Sequence, residues 1–201
     1  MNTPAPAEIV AFHERCNADA GWRHAAPALE DHGVWRHIEA NHRYNSLLWA
    51  EEDLARRKDV PDSAIAANKR AIDGFNQKRN DAIERIDECI LAGLAGVAPV
   101  EGARLNSETA GSMIDRLSIL SLKIKAMGAQ VARTDADAGH IELCRGKHAR
   151  LIEQRADLAS CLGALLADCR AGRAYYKVYR QFKMYNDPTL NPYLYGKGPS
   201  D

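Results

Sequence analysis

The residues of this chain best suited to chemistry are polar side chains set into otherwise apolar helical stripes. Trp35, Ile38, Leu48 and Trp49 recur at steps of three and four, and the same steps pass through Asn41, Asn45 and Glu52. The next stripe, Ile65, Ile72, Phe75, Ile83, Ile86 and Ile90, passes through Asn76, Arg79 and Asp87. Met113, Leu117, Leu120 and Ile124 read as buried, with Glu108 and Asp115 on a neighbouring face. A last stripe, from Ile141 and Cys144 to Leu151, Leu158, Leu162 and Leu165, meets His148 and Arg155. Burying an unpaired carboxylate or guanidinium is costly, so these groups are expected to find one another.

Two outcomes fit that pattern. One is an internal network of salt bridges and amides that fixes helix register. The other is a polar pocket between helices, the usual place for a ligand in a bundle. On the pocket reading, Arg79 and Arg116 contact the anionic oxygens of a small phosphorylated molecule, with Arg155 as a further clamp. Asn45, Asn76 and Asn80 orient hydroxyls, and Trp49 packs against a ring. Glu52, Asp53 and Asp115 are the catalytic candidates, able to transfer protons or hold Mg²⁺, with Glu108 beside the ligand.

Known motifs add little. Glu84-Arg85-Ile86-Asp87 is an ExxD, but the upstream acids Glu51-Glu52-Asp53 are not the ExxE that completes the Mg²⁺ site of all-α nucleotide pyrophosphohydrolases. Glu39-Ala40-Asn41-His42 is an ExxH without the second copy a di-iron bundle needs, and it reads as a helix-surface pair. No other histidine has zinc spacing, and there is no GxGxxG, P-loop or GxSxG signature.

The elements that must position these residues are helices. A short first helix is predicted over 5–19, then a loop through Gly21, Pro27 and Gly33. Long helices follow over 34–57, 62–94, 107–133 and 138–171, punctuated by Pro61, by Gly93 to Gly102, and by Gly172. Strand signals are nearly absent. The expected fold is all-α: an up-and-down bundle of four long helices plus a short N-terminal helix and a Tyr-rich C-terminal tail. Residues 1–172 form the bundle domain and 173–201 a strap or lid packed on it. That tail holds six of the seven tyrosines, with Arg173, Lys177, Arg180, Lys183 and Lys197 against the acids Asp187 and Asp201.

Composition narrows the classes. The 201 residues carry 27 basic and 27 acidic groups, so no net charge attracts nucleic acid. The first hundred residues hold 12 basic and 16 acidic groups and the rest 15 and 11, a −4 against +4 asymmetry too mild to name a partner. The longest uncharged run, Cys89 to Val100, is too short to span a bilayer. No secretory signal is visible at the N-terminus. Five cysteines without a CxxC pair (Cys16, Cys89, Cys144, Cys161, Cys169) suit a reducing cytoplasm, with the last three read as core thiols.

Three segments taken together carry a resemblance. They are Asn45-Ser-Leu-Leu-Trp49-Ala-Glu-Glu52-Asp53, Asn76-Gln-Lys-Arg79-Asn80 through Glu84 to Asp87, and Glu108-Thr109-Ala-Gly111-Ser-Met-Ile-Asp115-Arg116. With Lys183-Met-Tyr185-Asn186-Asp187-Pro188, they resemble a family of bacterial proteins of about this length, catalogued as a domain of unknown function, over residues 35–195. A second uncharacterised family is distantly similar in its Asn-x-x-Leu-Trp and Gly-x-x-x-Asp segments. The resemblance implies a soluble helical protein associated with cell-envelope polysaccharide assembly, and it carries over no catalytic residue. The leading expectation is thus a bundle that binds a nucleotide sugar or sugar phosphate. The rivals are a non-catalytic module that holds a partner enzyme or a second copy of itself, and a Mg²⁺-dependent nucleotide hydrolase.

Overall fold

The computed structural model describes residues 3–29, 31–180, 184 and 187–196. It contains helices α1 (Pro6–Ala18), α2 (Val34–Leu54), α3 (Asp62–Ala92), α4 (Ala110–Val131) and α5 (Ala138–Arg170). Every boundary falls within three residues of the one periodicity predicts. Local chemistry explains the ends. Pro6 opens α1, where its missing N–H costs nothing. Thr109 and Asp137 cap α4 and α5 by accepting the backbone N–H of Ser112 and His140. Gly172 stops α5 at φ +70, and a β-carbon there would lie 2.6 Å from the Ala98 carbonyl oxygen, so only glycine fits.

Cross-helix pairs give the directions. Tyr44 stacks on Phe75, and Asn68 donates to Glu51, so α2 and α3 run antiparallel. Gly111 meets Ile83 while Asp115 faces Arg79, which sets α4 antiparallel to α3. Gly128 approaches His148 across the α4–α5 hairpin. The fold is the expected all-α bundle. Its core is Ile38, Ile86, Ile90, Ile114, Leu117, Leu162 and Leu165, each worth about 1.5–3 kcal/mol of burial. The first helix, α1, adds Ile9, Phe12 and Cys16 to that core and is pinned to α5 by Glu14 and Arg155 at 2.7 Å.

Several expectations change. The α3–α4 connection contains a two-residue strand, β1 (Arg104–Leu105), paired in parallel with β2 (Ala174–Tyr175), too short to leave any alternation in the sequence. Ala174 and Tyr176 are buried in the core, so residues just past 173 pack with the bundle. Arg180 then bridges Glu84 and Glu88 on α3, while the rings of Tyr179, Tyr193 and Tyr195 are exposed. Lys183, Tyr185, Asn186 and Lys197 lie outside the described residues. Cys161 is exposed and not a core thiol, because it sits one position before the buried Leu162 on the outer face of α5. Ile124 is only half-buried. Among the described residues no helix is long and apolar enough to cross a membrane.

Candidate functional site

The site begins at Asp115, a buried carboxylate on α4. Its Oδ1 accepts the side-chain amides of Asn41 at 2.8 Å and Asn45 at 2.9 Å, both from α2. The second N–H of Asn45 goes to the Ser118 hydroxyl at 3.0 Å, and Ser118 lies 2.8 Å from His42 Nδ1. The positions repeat at three and four residues on both helices, so one face of α2 reads one face of α4. On the third side stands Arg79 of α3, whose Nε is 3.7 Å from the same Asp115 oxygen. That distance gives Coulomb attraction without a hydrogen bond. The Arg79 Nε is buried and has no hydrogen-bond partner, and Nη2 reaches Asn80 only at 3.4 Å.

Arg79 and Asn45 open onto a cavity of about 310 Å³ between α2, α3 and α4. Trp49, Glu52, Asp53 and Asn76 line it as well. Six of the ten predicted site residues therefore share one cavity, with Asp115 directly behind two of them and Asn80 buried beside Arg79. Glu108 and Arg116 line none of it. Arg116 Nη1 donates to both Glu108 carboxylate oxygens, at 2.8 and 2.9 Å, beside the first turns of α4, so Arg116 already holds an anion. Arg155 is likewise committed to Glu14 on α1, away from Arg79.

Glu52 and Asp53 sit on the cavity rim and not in the core. The Glu52 carboxylate binds Arg56 at 2.7 Å and approaches Lys69 at 3.8 Å. Asp115 is occupied by two amides and a guanidinium, so the three acids do not converge on one point. Among the described residues, no group of three or more His, Cys, Asp and Glu side chains is placed to hold a metal ion.

Behind Asp115 the network continues into a sealed interior. His42 stacks on His13 of α1 with ring centroids 4.4 Å apart, and both are fully buried. His13 has no hydrogen-bond partner at either ring nitrogen, nor has His42 at Nε2. Burial pushes His13 well below the usual imidazole range and His42 down to about 3, so both are neutral. This pair was missed because two histidines 29 positions apart leave no spacing signature. The signal that existed was place: His13 lies between Phe12 and Cys16 on the buried face of α1.

The Glu39-x-x-His42 segment is not a surface pair, which corrects the sequence reading. Glu39 is 2% exposed and accepts the backbone N–H of Ala28 and Leu29, and it binds Arg43 at 2.7 Å. Arg43 in turn donates to the carbonyls of Trp22 and Ala25 and lies 4.4 Å over the Trp22 ring. The two residues thus tie the α1–α2 loop onto α2, a tertiary contact that helix periodicity does not encode.

At the start of α4 a second buried carboxylate is spent on backbone. Asp87 of α3, 1% exposed, accepts the Gly111 N–H at 2.7 Å. A β-carbon at Gly111 would lie 2.6 Å from the Ile83 carbonyl oxygen, so glycine is what lets α4 approach α3. Burial raises Asp87 to about 6, against the pull of Thr109 and the Gly111 N–H. The Tyr176 hydroxyl lies beside it, outside hydrogen-bond geometry.

Five helices packed around one core, with a buried carboxylate bracing an arginine at the wall of an interhelical cavity, place the chain in the class of all-α helical bundles. Residues 35–178 match the family described as "Protein of unknown function (DUF4254)", and the chain belongs to that family. The match begins one residue into α2, so α1 and its His13 precede it. No curated protein and no solved structure matches the chain.

Proposed function

We propose that the protein binds a small phosphorylated ligand, a sugar phosphate or the sugar end of a nucleotide sugar, in the cavity between α2, α3 and α4. One observation carries this reading: Arg79 is held by charge at 3.7 Å from Asp115, with its Nε left without a hydrogen-bond partner at the cavity wall. A guanidinium in that state suits phosphate oxygens, since its fork is oriented by Asp115 while its donors are only partly spent, Nη2 reaching Asn80 at 3.4 Å. Asn76 supplies an amide for sugar hydroxyls, Glu52 and Asp53 supply acceptors, Trp49 supplies a face for the ring, and Asn45, its N–H groups spent on Asp115 and Ser118, braces the wall. The volume of about 310 Å³ lies at the small end of ligand sites, which suits one sugar phosphate better than an entire nucleotide sugar. Such ligands belong to the cell-envelope polysaccharide chemistry that the family resemblance implies. Binding needs no reaction, and the same site serves a carrier or an enzyme.

The test is a thermal-shift screen of sugar phosphates and nucleotide sugars, each with and without Mg²⁺, on the protein and on Arg79→Met and Glu52→Gln. A ligand at about 100 times its Kd adds roughly 2.7 kcal/mol. Both variants are expected to stay folded, within about 1 kcal/mol, and to lose that shift. A loss of roughly 3–5 kcal/mol without ligand in Arg79→Met would instead assign the network a purely structural role.

A further inference from the structure

The indole of Trp49 is shared. It walls the Arg79 cavity on one side and, on the other, a groove of about 1160 Å³ between α4 and α5. Ala126, Met127, Leu143 and Leu151 give that groove an apolar lining. Leu143 is 58% exposed, and a β-carbon at Gly146 would meet no atom within 4 Å, so the chain itself leaves the groove unfilled. Solvent-facing apolar surface of this kind calls for an occupant.

The polar groups around the groove say which. Lys123, Lys147 and Arg150 stand on its rim, Arg150 at 3.8 Å from Glu153, and the one acid lining it, Glu142, is already bound to Arg145. Gln130 is engaged by Arg133 at 3.2 Å. The groove therefore offers mainly hydrocarbon contact, with cations at its rim but few free acceptors to read the edge of a nucleobase or the hydroxyls of a second sugar. Taking the Arg79 cavity as an anion site, we propose that the ligand's phosphate sits at Arg79 while a long hydrocarbon chain attached to it passes Trp49 into the α4–α5 groove. The ligand class is then an anionic amphiphile, a prenyl- or acyl-linked phosphate, in preference to a nucleotide sugar.

Calorimetry with the full chain tests this, using farnesyl phosphate, glucose 1-phosphate, farnesol and UDP-glucose, the amphiphiles below their micelle concentrations. Farnesyl phosphate is expected to bind at least tenfold more tightly than any of the other three. Leu143→Asp, at an exposed position, is expected to erase that advantage while leaving glucose 1-phosphate affinity unchanged. Equal affinity for farnesyl phosphate and glucose 1-phosphate would overturn the groove and spare the cavity. Farnesol binding as tightly as farnesyl phosphate, with Arg79→Met silent, would overturn both. Tighter binding of UDP-glucose would overturn the choice of chain over nucleotide. A dimer in sedimentation that Leu143→Asp dissociates would show a second copy in the groove and overturn the proposal.

Discussion

Two polar clusters lie four residues apart on α4, and they are built to opposite ends. At Gly111 the Asp87 carboxylate meets a backbone donor at 2.7 Å and the helices touch. At Asp115 the amides are equally well matched, yet the arginine stands off at 3.7 Å beside a cavity. The carboxylate at Gly111 is spent on a backbone donor, whereas the arginine beside Asp115 is held by charge at the wall of a cavity. The segment from Glu108 to Arg116 therefore does two jobs. Glu108, Thr109, Gly111 and Arg116 start and anchor the helix, and Asp115 alone serves the cavity.

Substitutions can break this contrast. The largest expected effect is at the closed end: Gly111→Ala places a methyl carbon against backbone and is expected to cost at least about 3 kcal/mol in urea unfolding. Full stability in that variant would mean the helices are not held so close.

Acid comes next. His13 and His42 are depressed in the fold, so the unfolded chain takes up protons first as pH falls below about 6.5, and folding loses stability from there towards about 3. A drop on the order of 3 kcal/mol between pH 6.5 and 4 is expected from His42 alone in chemical denaturation, with His13 adding to it, and His13→Phe should lessen the total.

Asp87 has the opposite sign. Its folded value of about 6 lies above the unfolded one near 3.8, so its charge weakens the fold at neutral pH and that penalty fades as pH falls through 6. Asp87→Asn keeps an acceptor for Gly111 without the charge. It is expected to match or exceed the parent stability at pH 7.5 by about 1–2 kcal/mol, and to lose that margin below pH 5. The smallest effect is expected at Arg116→Ala, which removes a half-exposed pair: under about 1 kcal/mol of stability and no change in ligand response. A lost ligand response there would return Arg116 to the site.

Much of the fold was legible before the structure. Apolar residues at helical steps fix five helices and their inner faces, because burial of one stripe per helix dominates the energy and leaves its period in the sequence. Part of the site was legible for the same reason: Asn41, Asn45, Asp87 and Asp115 break those stripes and are indeed buried. Glu52, on the inward stripe by its spacing, is instead part-exposed on the cavity rim, because it lies in the last turn of α2 and binds Arg56.

What the sequence by itself determined is thus which side of each helix turns inward. Tertiary structure alone decided which inward groups meet. Asp115 takes amides from α2, His13 stacks on His42, Glu39 holds the loop before its own helix, and β1 finds β2 across 70 residues. Those partners are set by helix rotation, offset and close approach, which depend on packing the whole core at once. The same geometry separates the satisfied carboxylate at Gly111 from the partly spent arginine beside Asp115.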